Sequence, residues 1–346
     1  MKYTLLTQII LRSANGAVRL QAARRSRWLK FVMDRRTDDG TFFSPNEPSG
    51  FSSTLFGLRI LHLLGALDEK DARKTADSLR DCLVALQKGD KRFVSEKKNP
   101  TGLLGTDLYA LVFASELIKT ATDRDVFAEA NLDRRQFVLD GFGALKRGNG
   151  GISSSVIVRH TSTYNTFLAT AALQMAGIPF EEFDSDYYSL LSKFVHNRQQ
   201  PGGGFVELEL IPTIGTVATA SAISVAEMIR LERLSTMEPD AQAAAVSDEP
   251  IYSHSSAHSF LLRMHAAHGG YRAINRIPDA TLWSTYTAIV GIGVLTDWKA
   301  AYDHREATLS FLESLYRANG YVSAAWDTQP ALDSTYYALA IQSILS

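Results

Sequence analysis

An all-α fold, an (α/α)6 toroid of six helical hairpins, follows from three observations on the sequence. A glycine-aromatic unit recurs six times. The segments just after these units are apolar nearly all round, and the segments between them are amphipathic at helical spacing with charge on one side. An all-round apolar helix must be buried, whereas a striped helix keeps one face wet. Six such pairs bury every inner face if they close into an inner and an outer ring. Strand signals are scarce.

In chain order the units open at DDGTFF from Asp38, KRFVSE from Lys91, GGISSS from Gly150, GGGFVE from Gly202, GGYRAI from Gly269 and NGYVSA from Asn319. Aligned, their reference positions are 40, 92, 151, 204, 270 and 320, in steps of 52, 59, 53, 66 and 50. Arg92 replaces the glycine of the second unit, which is the weakest match. After each loop, Ser or Thr, often with Tyr, opens an Ala/Leu-rich inner helix. The outer helices are read at Ala17 (AVRLQAARRSRWLKFVM), Asp71 (DARKTADSLRDCLVALQ), Tyr187 (YYSLLSKFVHNRQQ), His258 (HSFLLRMHAAH) and Ala307 (ATLSFLESLYRANG). The long step of 66 is accommodated by the polar stretch Leu234–His254, read as a surface loop. The opening MKYTLLTQIIL has one Lys, a broken apolar run and no clear cleavage site, so it is read as part of the fold. The expectation is one toroid domain over residues 1–346.

Composition excludes several classes. Lys and Arg number 36 against 37 Asp and Glu, without the basic excess of a nucleic-acid binder. The one cysteine, Cys82, rules out an internal disulfide framework and a zinc site of several thiolates, and it fits a reducing, cytoplasmic setting. No uncharged apolar run reaches the ~18 residues of a spanning helix. P-loop, HExxH, GxSxG and GxGxxG motifs are absent.

The glycine loops all precede inner helices, so six helix N-termini gather at one mouth, where free N–H groups favour anions. The wall below would be drawn from Tyr109, Tyr164, Phe167, Trp283, Tyr286, Tyr336 and Tyr337. Such a shaft suits a molecule with an apolar tail and a phosphate head. Plain core packing accounts for each ring taken singly.

The repeats resemble those of protein prenyltransferase β subunits and of squalene and other terpenoid cyclases, from about Asp38 to Ser346. The fifth unit is the most informative, with Gly269, Gly270, Tyr271, Arg272, Asn275, Arg276, Asp279 and Thr281 in order. The resemblance implies that Arg276, with Arg272, binds an isoprenoid diphosphate, for which the guanidinium fork is suited. His160 and its neighbour Arg159, at the start of the third inner helix, fall near a substrate-contacting position, in a register that slips by a residue or more. Tyr164, Trp283, Tyr286 and Tyr336 would hold the tail.

The sequence also departs from the family. Asp279 matches the transferases' zinc aspartate, but Thr281 stands where they have cysteine, and Asp333 lies near their histidine. Orthodox zinc chemistry is therefore not expected, while magnesium is compatible with a diphosphate substrate. Asp279 and Asp333 are the candidate catalytic acids, and both also suit helix N-capping. The cyclases' Asp-x-Asp-Asp and the synthases' DDxxD are missing. The expectation is an isoprenoid-handling enzyme that takes a prenyl diphosphate or polyene for transfer or cyclisation, and the resemblance to the transferases adds a helical partner subunit. The alternatives are a non-catalytic lipid-binding or scaffold toroid and a six-fold glycosidase, for which Glu207 and Glu209 are a weak carboxylate signal.

Overall fold

The computed structural model describes Leu5, Ile9 and residues 22–44, 50–87, 103–236 and 251–346. Within these residues the inner helices are α2 (Phe51–Leu63), α4 (Gly105–Thr122), α7 (Thr163–Met175), α10 (Thr216–Thr236), α12 (Leu282–Thr296) and α14 (Leu332–Ile344). The outer helices are α1 (Ala22–Met33), α3 (Glu69–Gln87), α6 (Arg134–Leu145), α9 (Tyr187–Arg198), α11 (His254–Arg263) and α13 (Arg305–Ser314). Two short helices, α5 (Val126–Glu129) and α8 (Phe180–Phe183), fill connections. Each inner helix packs on the next in chain order, and α14 packs back on α2, so the ring is closed. This is the six-pair toroid the repeats predict.

The inner helices are buried nearly all round, as in α14, where Leu332 and every residue from Ser334 to Ile341 are buried. The outer helices bury one stripe, Ala72, Ala76, Leu79 and Leu83 in α3 and Leu191, Phe194 and Val195 in α9. Helix α6 was not singled out in the sequence. Only Val138, Phe142 and Leu145 are buried along it, and Gly141 and Gly143 dilute the pattern.

Among the described residues, the chain makes a short hairpin or bridge between an outer helix and the following inner one where only a loop was expected. The strands are β1 (Ile152–Ser153), β2 (Thr161–Ser162), β3 (Phe205–Leu208), β4 (Ile211–Gly215), β5 (Tyr271–Arg272), β6 (Ala280–Thr281), β7 (Tyr316–Arg317) and β8 (Gly320–Tyr321). All pairings are antiparallel, and Ser162 pairs with Leu208 to join two hairpins into one four-stranded sheet. Most of these strands are two residues long, too short to show alternation in the sequence.

One hydrogen bond explains the glycine-aromatic to Ser/Thr spacing. The backbone N–H after the glycine donates to a threonine hydroxyl in the first turn of the inner helix. The pairs are Ile152 to Thr166 (2.9 Å), Phe205 to Thr219 (3.0 Å), Tyr271 to Thr285 (2.9 Å) and Tyr321 to Thr335 (3.0 Å), each 14 residues apart. Phe42 makes the same bond to Thr54 across 12 residues. Thr166 and Thr285 also each donate to the carbonyl four residues back, at 2.7 Å, so the hydroxyl is satisfied as donor and acceptor. The glycines serve a second need. Gly203 and Gly269 lie at φ +87° and +86°, and a Cβ there would sit 2.2 Å from the Ser256 carbonyl oxygen and 2.1 Å from that of Ala307. Only glycine allows this approach to the next outer helix.

The second unit's opening, from Lys91, and most of the N-terminal segment lie outside the described residues. So do residues 237–250 of the stretch read as a loop. Helix α10 runs through Thr236 and α11 begins at His254, so the helices take both ends of that stretch.

Candidate functional site

The ring encloses a shaft with about 130 Å³ of room for the centres of water molecules. Its walls come from all six inner helices. Ser52, Thr106, Tyr164 and Trp283 stand in first turns, Phe56, Tyr109, Phe167, Tyr286 and Tyr337 one turn deeper, and Arg59, Ser224 and Val290 a further turn down. Six of the seven rings expected on the wall are there, and Tyr336 packs behind them against Phe56 (5.7 Å between centroids) and Tyr286 (5.9 Å). Tyr286 stacks on Tyr337 at 5.1 Å, and at the lip Trp283 meets Tyr164 edge to face at 5.5 Å. Trp283 is 42% exposed, which places it at the entrance rather than in the core. Burial raises the phenol pKa values of Tyr109, Tyr164, Tyr286 and Tyr337, so these rings keep their O–H groups at neutral pH.

The sequence reading missed Arg59. Its signal was present: it is the one charged residue in the apolar run FSSTLFGLRIL that forms α2. Its Nη2 donates to the Tyr109 hydroxyl at 2.6 Å. Its guanidinium lies 4.1 Å from the Phe113 ring centroid, 5.1 Å from that of Tyr336, 5.7 Å from Tyr109 and 5.8 Å from Phe56. No carboxylate among the described residues pairs with it, and its buried Nε–H has no partner there. A desolvated cation over aromatic faces gains about 2 kcal/mol. A hydrogen bond from a charged donor adds about 2 kcal/mol. Taking such an ion out of water costs several kcal/mol. The gains at best match the cost before the idle Nε–H is counted, and a guanidinium cannot escape by losing its proton.

The residues expected to bind phosphate are placed differently. Arg272 turns away from the shaft to cap the end of α11, with Nη2 2.5 Å from the Arg263 carbonyl oxygen. Arg159 and His160 are exposed on the β1–β2 hairpin, and Arg276 and Asp279 on the β5–β6 loop. None of these five lines the shaft. Thr281 caps α12, accepting from the Ser284 N–H at 3.2 Å. Asp279, Thr281 and Asp333 offer neither thiolate nor imidazole, so the positions of the transferase zinc site do not fit zinc.

Asp333, at the start of α14, accepts from the Ser334 N–H at 2.7 Å. With Asp327, Ser323 and Thr328 it lines an open polar pocket of about 580 Å³ at the mouth, which shares Ser52 and Phe56 with the shaft and so leads into it. Asp327 in turn accepts from the Ser323 hydroxyl. Glu207 on β3 lies behind Tyr164, accepting from the Ser162 hydroxyl and, at 3.3 Å, from the Tyr164 N–H. Burial pushes its carboxyl pKa up, against the lowering by those donors and by Arg198. Glu209 is exposed in the following turn, so the two glutamates do not face each other.

Most of the exposed large apolar side chains sit on the mouth-side loops, among them Phe43, Ile157, Leu210, Ile277 and Trp326. They crown the entrance rather than the outer ring.

No curated protein sequence matches the chain. Among solved structures, the type II terpene cyclase MstE from Scytonema, in complex with geranylgeranyl dihydroxybenzoate as substrate, matches with a TM-score of 0.55 at 12% identity, over 96% of this chain and 97% of that one. Protein geranylgeranyltransferase-I of Candida albicans, complexed with GGPP, matches with a TM-score of 0.58 at 18% identity, over 86% and 85%. At these identities the likeness is one of fold. The prenyltransferase alpha-alpha toroid domain model matches residues 3–206, 107–249 and 242–346. That match spans the chain, and with the closed double ring and ring-lined shaft in place the chain belongs to the prenyltransferase alpha-alpha toroid family.

Proposed function

We propose that this protein is an enzyme that binds an isoprenoid in the central shaft and cyclises or transfers it without zinc. The aromatic lining carries the reading. Tyr286, Tyr337, Phe56 and Tyr164 present ring faces and edges to a space open at one end, which suits both an apolar polyene and the positive charge that develops when it reacts. The ligands named for the two solved relatives, geranylgeranyl dihydroxybenzoate and GGPP, support the substrate class.

Of the two chemistries, proton-initiated cyclisation draws the more support. Thr281 is engaged as a helix cap and offers nothing to activate a thiol acceptor. Carboxyl groups, by contrast, stand at or near the mouth. Asp333 faces the pocket that opens into the shaft, and Glu207, whose carboxyl pKa burial raises, lies behind Tyr164. The diphosphate-binding role expected for Arg159, His160, Arg272 and Arg276 is part of the transfer reading, as is a helical partner subunit. Asp279, exposed on its loop, is less well placed as an acid than Asp333.

Incubating the protein with geranylgeranyl diphosphate, squalene and geranylgeranoic acid, with product analysis by mass spectrometry, tests the proposal. A cyclised or transferred product that is lost in Asp333→Asn or Glu207→Gln supports it. Binding without turnover of any of the three leaves a lipid-binding toroid, and no binding at all refutes the reading.

A further inference from the structure

We infer that Arg59 is the seat of an oxyanion, so that the ligand of this shaft carries a carboxylate or phosphate that is held inside it, below the aromatic belt, rather than at the rim. This rests on the reading that the shaft is where the ligand sits.

Four observations carry it. Arg59 is a permanent cation in an otherwise apolar and aromatic enclosure, with Tyr109 its one hydrogen-bonded partner among the described residues. Its Nε–H is idle, and it lies in the wall of the cavity rather than behind it. Helix α10 stands diametrically opposite α2 in the ring. Where α2 presents Phe56 and Arg59, it presents Ala220, Ser221 and Ser224, small residues that leave room and two hydroxyls as further donors. Finally, the basic residues of the rim do not line the shaft, whereas Asp327 and Asp333 make the mouth pocket acidic.

A hydrocarbon filling the shaft would expel water from around the guanidinium and leave it with aromatic faces alone. An oxyanion there would meet the edge of the guanidinium that faces the cavity in a charge-assisted contact, the Nε–H itself being closed off from that space. The same arrangement leaves the other end of the molecule toward Asp333, which stands about 10 Å higher along the axis as counted by seven residues of helix rise. The substrate class is thus an isoprenoid acid or phosphate with its distal alkene at the mouth.

The test is equilibrium binding of geranylgeranoic acid, geranylgeranyl diphosphate, geranylgeraniol and hexadecanoate to the full chain and to Arg59→Gln, by titration calorimetry. The wild-type chain is expected to bind the acid or the diphosphate at least tenfold more tightly than the alcohol. Arg59→Gln should erase that preference while leaving the alcohol within about twofold. Whichever anion binds better names the oxyanion. Alcohol and anions binding alike in the wild type, or an unchanged preference in the variant, overturns the inference and leaves the isoprenoid reading standing. Arg59-dependent binding of hexadecanoate with none of the C20 isoprenoids does the reverse, and no binding of any probe sinks both. If Arg59→Gln does not fold, the wild-type ratio of acid to alcohol decides alone.

Discussion

The hairpin collar and the shaft it surrounds are built on opposite principles. In the collar the same solution recurs around the ring: a glycine at positive φ against the next outer helix, and a backbone N–H held by a threonine 14 residues on in four units. In the shaft the walls differ below the ring of aromatics. Helix α10 contributes serines where the others contribute rings, and a turn deeper α2 contributes a cation where α12 contributes Val290. Repetition marks what closes the ring, and variation marks what the ring is for. Changes in the collar should therefore cost stability, and changes in the shaft should cost ligand.

The largest effect is expected at Gly269. Alanine there meets both the left-handed backbone and the Ala307 carbonyl oxygen at 2.1 Å. Strain of about 1–2 kcal/mol and overpacking of about 1–3 kcal/mol combine to roughly 3 kcal/mol, read as a lower denaturant midpoint. Gly143, inside α6 with open space around its Cβ position, is the control. Alanine there should leave the midpoint unchanged or raise it by about 0.5–1 kcal/mol. A Gly269→Ala protein as stable as Gly143→Ala would break the distinction.

Next comes Thr285→Val, which keeps the shape and removes the hydroxyl that holds the Tyr271 N–H. Leaving that buried donor unmet should cost about 1–3 kcal/mol. Thr287→Val on the same helix lines the shaft instead and should cost less. Equal losses, measured by chemical denaturation, would show that the collar bond carries no special weight.

Acid should weaken the ring. Burial lowers the pKa of His62 on α2, and burial with the stacked His304 lowers that of His265, both from 6.5. The unfolded chain then binds these protons more readily than the native one. Their contribution is present above pH 6.5 and is lost as the pH falls through the native values. Denaturant midpoints at pH 7.5 and 5.5 should differ in that direction, with His62→Gln and His265→Gln reducing the gap.

The smallest stability effect is expected at the most consequential shaft residue. Replacing Arg59 by Met removes a buried charge that lacks a carboxylate partner among the described residues, so the thermal midpoint should stay or rise. A marked drop would show that Arg59 belongs with the scaffold.

This division also explains what could be read in advance. The repeat spacing exposed the ring because each unit needs its glycine and its threonine. The aromatic wall was legible because rings recur in the first turns after the loops. Arg59 was passed over because a lone arginine in an apolar helix reads as a snorkelling surface residue, and only the closed ring shows that it has nowhere to snorkel to. Arg272 shows the other side: motif position suggests phosphate, while the end of α11 lies near and its carbonyls take the guanidinium.

Closure itself sets the order of assembly. The contact of α14 with α2 joins residues nearly 300 positions apart, so the last wall of the chamber is delivered only after the other five have been made. Until then five greasy staves stand as an open trough. A nascent chain stalled before Leu332 would bare Phe56 and Tyr286 to chaperones, and a premature stop there should yield a sticky, client-like fragment rather than a weaker version of the whole.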